Sequence, residues 1–104
     1  MKAKSADKRN SISTALGARV KAARHEADIS QEELAFAALV NRTYISSIER
    51  GIANPSVETL ANICYCLGIT LADLFEPLTI SLKPSGERRT NVANPEKIPR
   101  KRLR

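Results

Sequence analysis

In this chain of 104 residues, the side chains best equipped for chemistry fall in one short run: Arg42, Thr43, Tyr44, Ser46, Ser47 and Arg50. They form a hydrogen-bonding set, not a covalent or metal-binding one. An arginine fork matches the paired acceptors of a guanine edge or a phosphate, and hydroxyls donate or accept as needed. Ile45 and Ile48 lie between them, so a helix that buries the isoleucines turns the polar groups outward. Arg42 stands at the start of that helix, where positive charge opposes the helix dipole and a structural reason for it is weak. The other reactive residues make no comparable set. His25 is the single histidine and lacks the second histidine of a zinc-protease motif, so it reads as an exposed helix residue. Cys64 and Cys66 differ by about 200° around a helix and cannot readily share a metal. Cys64 suits a small core position. There is no nucleophile–base–orienter set and no phosphate-cradling glycine loop, so no enzyme activity, metal or cofactor is expected.

Five helices are needed to position these groups. Residues 13–26, 31–38, 42–50, 57–67 and 71–75 carry apolar positions at helical spacing. The later four begin alike. Ser30, Asn41, Ser56 and Thr70 are N-caps, each with an apolar residue or proline before it and an apolar residue four positions in. Ser30 with Glu33 makes a capping box, and Asp73 favours the positive end of the last helix. Gly51 and Gly68 sit where helix C-termini favour a left-handed residue. The stretch from Ser30 to Gly51 reads helix, tight turn, helix, with small Ala35 and Ala38 where the two helices must approach. That is the geometry of a helix-turn-helix, whose second helix enters the DNA major groove. The N-terminus of the first of the pair, at Gln31, offers free N–H groups and partial positive charge to a phosphate.

Seventeen Lys and Arg against eleven Asp and Glu give a net charge of +6, which favours an anionic partner. The excess lies in the tails: +3 over residues 1–12, −2 over 13–75 and +5 over 76–104. Three regions are therefore expected: a basic N-terminal arm at 1–12, a helix-turn-helix domain at 13–77, and a basic C-terminal extension at 78–104. Leu78, Ile80 and Leu82 alternate with polar residues and could form a short strand. Residues 87–104, with seven Lys and Arg and two prolines, read as a flexible basic tail. The first ten residues hold no apolar segment of the kind a secretory signal needs. No apolar run approaches the ~18 residues of a membrane span. Two cysteines make no disulfide framework. A cytoplasmic protein without membrane contact is expected.

Four motifs stand in order along the chain: Ser30-Gln31-Glu32-Glu33-Leu34-Ala35, Tyr44-Ile45-Ser46-Ser47-Ile48-Glu49-Arg50-Gly51, Asn54-Pro55-Ser56-Val57-Glu58-Thr59-Leu60 and Leu67-Gly68-Ile69-Thr70. With them, the segment from Leu16 to Phe75 resembles the lambdoid-phage repressor and Cro family of DNA-binding domains, the XRE-type regulators. Asn41 to Ser46 is most similar to the restriction–modification controller proteins of that family. The resemblance implies an all-α, lambda-repressor-like five-helix bundle. It also implies a transcriptional regulator that binds double-stranded DNA as a homodimer on a two-fold operator. Position by position, it assigns base reading to Arg42, Thr43 and Ser47. Backbone or groove-wall contact falls to Gln31, Tyr44, Ser46, Arg50 and Asn54, and a buried salt bridge to Arg24 with Glu49. Two departures stand out: Leu39 replaces the usual turn glycine, and Asp28 another common glycine.

With the reading helix committed to DNA, a dimer surface is expected elsewhere. Leu71, Leu74, Phe75 and Leu78 are the candidates, with Ile80 and Leu82 able to add strand pairing. The competing use for Leu74 and Phe75 is to close the protomer's own core. Two rival functions remain at this stage: an antitoxin-type regulator that also binds a toxin, and a protein-interaction module docking an acidic partner. Outward Arg42, Thr43 and Tyr44 speak against the second, since protein-binding faces favour apolar anchors.

Overall fold

The computed structural model describes residues 10–86. The chain folds into five helices: α1 (Ser11–Glu26), α2 (Gln31–Ala38), α3 (Arg42–Glu49), α4 (Val57–Leu67) and α5 (Leu71–Phe75). α1 packs on α3 and α5, α2 on α3 and α4, and α4 on α5. Leu16, Val20, Leu34, Ile45, Ile48, Leu60, Ile63 and Leu74 meet in one core, with Ala23, Ala35 and Ala38 filling the close approaches.

Each helix starts on a side-chain cap. Asn10 Oδ1 accepts from Ser13 N–H at 2.8 Å, which starts α1 two residues earlier than its apolar pattern indicates. Ser30 with Glu33, and Thr70 with Asp73, form reciprocal capping boxes. Asn41 and Ser56 cap α3 and α4. Such caps satisfy N–H groups that have no partner inside the helix, at about 1 kcal/mol each.

The helix ends share one device. The N–H of Ile29, Val40, Ile52 and Ile69 each donates to a carbonyl five residues back, after a left-handed residue at Asp28, Leu39, Gly51 and Gly68. This closure satisfies orphan carbonyls and turns the following apolar residue inward. Ile29, Val40 and Ile69 accordingly pack against the core, and each precedes the cap of the next helix. Leu39 thus takes the conformation a glycine would take, at φ 63° and ψ 38°, with its side chain 90% exposed. The turn between α2 and α3 keeps its shape, and the leucine bears the strain.

One close approach depends on a missing side chain. A Cβ on Gly17 would lie 2.7 Å from the Glu49 carbonyl oxygen and closer still to that of Ile48. Gly17 therefore lets α1 lie directly against the end of α3. A glycine inside a helix costs about 1 kcal/mol relative to alanine, and here the cost secures that contact.

After α5 the alternation of Leu78, Ile80 and Leu82 does not become a strand. Leu78 is half-buried on the core and its N–H donates to Phe75 O at 2.8 Å, while Ile80 and Leu82 are exposed. A strand needs a neighbour to fill its hydrogen bonds, and no described segment of the chain offers one. Most of the N-terminal arm, and the tail from residue 87 onward, lie outside the described residues.

Because Leu39 is so exposed, Leu39→Gly removes little burial and relieves the left-handed strain. Urea unfolding should show it more stable by about 1 kcal/mol. A loss of stability would mean that the leucine makes contacts outweighing its strain.

Candidate nucleic-acid interface

α3 is short and two-sided. Ile45 and Ile48 are fully buried, and Glu49 is buried beside them. Arg42, Thr43, Ser46, Ser47 and Arg50 are related by three- and four-residue spacings and lie within an arc of about 140° on the other side. Arg42 and Thr43 are exposed, and Ser46 and Ser47 are half-buried. Tyr44 stands at the rim of this arc and packs in part against the core. Arg50 caps α3, is exposed, and donates through Nε to Ser46 Oγ at 3.3 Å. Asn54 is exposed in the loop beyond. Among the described residues, no side-chain hydrogen bond joins it, Arg42, Thr43 or Ser47 to the rest of the set. Arg42, Thr43 and Ser47 thus form a polar row open to a partner with donors and acceptors of its own.

One buried carboxylate at the edge of this arc braces the helix. Glu49 Oε2 accepts from Arg24 Nε at 2.6 Å, and Glu49 Oε1 accepts from Arg24 Nη2 at 3.0 Å. Gln31 Nε2 donates to the same Oε1 at 3.0 Å. Arg24 also donates through Nη1 to Ile29 O at 2.9 Å, and its Nη2 lies 3.3 Å from His25 Nε2. The two charged side chains are 10% and 2% exposed. α1, the α1–α2 turn, α2 and α3 all meet here. Burial disfavours the charge on Glu49, but the bonds from Arg24 and Gln31 and the nearby positive charge outweigh it, so its carboxyl is held below the ordinary value of 4.5.

The structure gives Gln31 a second task that its sequence position does not reveal. It sits at the start of α2, where a phosphate contact is expected, and its amide nitrogen is already committed to Glu49. Glu32 and Glu33 in the same first turn offset the positive helix end. Two further supports escape sequence reasoning. Gly17 has one usable signal, a glycine inside an amphipathic helix. Arg19, which bonds carbonyls of α5, has no local signal.

The four candidates for a dimer surface separate. Leu74 is completely buried and closes the protomer's core. Its expected place on an outward face is therefore corrected: a five-residue helix has one inward line, and Leu74 occupies it. Leu71 and Leu78 are half-buried, and Phe75 is 39% exposed. With Ile80 and Leu82 they leave an apolar edge at the end of the bundle. Cys64 lies in the core, where burial, and then the charge of Asp73, pushes its thiol up. Among the described residues no group of three or more His, Cys, Asp or Glu could hold a metal ion.

Two helices joined by a tight turn, the second showing a polar row and braced by a buried ion pair, define the helix-turn-helix class. The helix-turn-helix family matches residues 20–74, more than half of the chain, and the protein belongs to that family. The control protein C.BamHI of Bacillus amyloliquefaciens is 40% identical over 72 residues, 68% of this chain and 89% of that protein. The control protein C.MunI of Mycoplasma sp is 43% identical over 70 residues, 66% of this chain and 95% of that one. Among solved structures, the restriction–modification controller protein C.Esp1396I, as a tetramer in complex with its natural 35 base-pair operator, superposes with a TM-score of 0.62. It is 31% identical, over 67% of this chain and 92% of that one.

Glu49→Ala strands Arg24 in a buried site and should destabilise the fold by about 3 kcal/mol. Arg24→Ala with Glu49→Ala should cost less than the sum of the two single changes, because a lone buried charge is worse than none. Strictly additive denaturation energies would deny the coupling. The pH dependence has a definite sign. A carboxyl held low in the fold contributes fully above its unfolded value and loses that contribution as pH falls through its folded value. The stability gap between wild type and Glu49→Gln should therefore be constant near neutrality and narrow below about pH 4.5 in thermal melts. A gap that stays constant into acid would remove the charge from the explanation.

Proposed function

We propose that this protein is a sequence-specific DNA-binding transcriptional regulator of the controller type, acting as a homodimer on a two-fold operator. The observation that carries the reading is the outward row Arg42, Thr43 and Ser47 on a helix locked at its buried edge by Glu49, Arg24 and Gln31. Reading base edges requires side chains held in register by a rigid support. Arg42 reaches a guanine edge, with Thr43 and Ser47 reading beside it. Gln31, Tyr44, Ser46, Arg50 and Asn54 line the backbone and groove wall. The relatives' names support the same reading: two are control proteins, and a third is seen on its operator. This is binding chemistry, and it asks nothing of a nucleophile or a metal. Among the described residues no helix is long and apolar enough to cross a membrane.

One reading helix covers too few base pairs to select a genomic site, which is the reason for two copies. Two-fold partners would present their α3 helices to half-sites about one helical turn, roughly 34 Å, apart. The apolar edge of Leu71, Phe75 and Leu78 is the surface proposed to join them.

The deciding experiment is a gel shift with DNA from immediately upstream of the chain's own coding sequence, against unrelated DNA of equal length. Selective retention supports the reading, and equal retention overturns it. Arg42→Ala should then lose about 1–3 kcal/mol of discrimination at one base pair. Equal weakening on specific and random DNA would confine Arg42 to phosphate. For the dimer, sedimentation should show two copies at micromolar concentration. A monomer that footprints one asymmetric half-site would overturn it.

A further inference from the structure

α5 has five residues, too few to hold an orientation by itself. Its last four carbonyls have no acceptor role inside the helix, yet each is accounted for. Ala72 O accepts from Glu76 N–H at 2.9 Å, and Phe75 O from Leu78 N–H at 2.8 Å. The two between them are taken by one side chain from another helix. Arg19 on α1 donates through Nη2 to Asp73 O at 3.1 Å and through Nε to Leu74 O at 3.1 Å. The planar guanidinium grips two successive carbonyls, and its charge sits at the negative end of α5. Five positions along the same helix, Arg24 holds α3 through Glu49. One rigid helix is thus fastened by arginines to both the reading helix and the helix that carries the proposed dimer edge.

We propose that Arg19 is a positioning residue that determines operator spacing. By fixing α5 on α1, it sets the angle at which two protomers meet, and with it the separation of half-sites that the dimer accepts. The inference rests on the reading that the α5 edge joins the protomers. The leverage is large. A tilt of about 10° acting over a lever of about 20 Å, the length of roughly thirteen helical residues, displaces its end by roughly 3.5 Å, close to the ~3.4 Å rise of one base pair. Lysine would keep the charge and lose the fork, so it cannot grip both carbonyls.

The test uses the full chain as wild type, Arg19→Lys, Arg19→Met and Phe75→Asp. The probes are duplexes carrying two copies of the half-site footprinted in the chain's own upstream region, with their separation stepped by single base pairs. Anisotropy titrations read the affinity at each spacing, and sedimentation reads the assembly. Wild type should favour one spacing. The Arg19 variants should lower that preference about tenfold, in line with the loss of charge-assisted hydrogen bonds, and leave base preference within each half-site unchanged. A merely structural role would weaken every spacing by the same factor, and that result would overturn the proposal. If Arg19→Met fails to fold, Arg19→Lys, which keeps stem and charge, decides. Phe75→Asp should be monomeric and blind to spacing. If it remains a dimer with the wild-type preference, the α5 edge is not the interface, and the role of Arg19 falls with it. If it is monomeric while both Arg19 variants keep the wild-type preference, the assignment of Arg19 alone is refuted.

Discussion

The carboxylate of Glu49 is the constraint on which the rest of the structure depends. A buried charge is tolerated only when its oxygens are satisfied and an opposite charge lies close. Arg24 and Gln31 meet both conditions from two other helices, so the three N-terminal helices are tied to one point. The geometry leaves little freedom. The fork of Arg24 bonds both oxygens of the carboxylate, and its remaining nitrogen reaches the Ile29 carbonyl in the turn to α2. An apolar contact in the same place would hold the helices together yet let them slide. Directional bonds fix the rotation of α3 about its axis, and that rotation decides which side chains face outward.

Around that point the chain economises on types of joint. Four helices end in the same left-handed closure, and three of the apolar residues that follow pack inward just before the next cap. One short sequence unit therefore ends a helix, anchors the connection and starts the next helix. Leu39 and Asp28 show that the closure does not depend on glycine. The hydrogen bond from the residue after it, and the burial of that residue, outweigh a strain of about 1 kcal/mol. Where no such compensation exists, geometry demands glycine. At Gly17 any side chain would strike the backbone of α3, and no rotamer relieves a clash with a Cβ.

The division of labour follows from α1. It touches the reading helix through Gly17 and Arg24, and the terminal helix through Arg19. It contributes no member of the candidate DNA row. Its role is to carry position from one end of the bundle to the other. Such a scaffold lets exposed Arg42 and Thr43 vary without disturbing the fold, because neither supports the core.

Much of this was legible in the sequence because the rules involved are local. Caps act over three residues, left-handed closures over five, and apolar periodicity over one or two turns. The five helices, the tight turn after Ala38 and the outward row of α3 can therefore be read from neighbouring residues, though the Asn10 cap starts α1 two residues before its apolar pattern. Arg24 and Glu49 are 25 residues apart, and their pairing was expected from family resemblance, since spacing alone does not bring them together. Only the tertiary structure decided what lies across packed helices. Arg19 bonds carbonyls 54 and 55 residues away, Gln31 turns its amide to Glu49, and Leu74 faces the core. The alternation after α5 could not become a strand without a partner strand in the described chain. A sequence specifies which residues prefer burial and which turns they prefer. The angles at which helices cross, set by side-chain volumes and directional bonds from distant segments, choose which of the remaining groups meet.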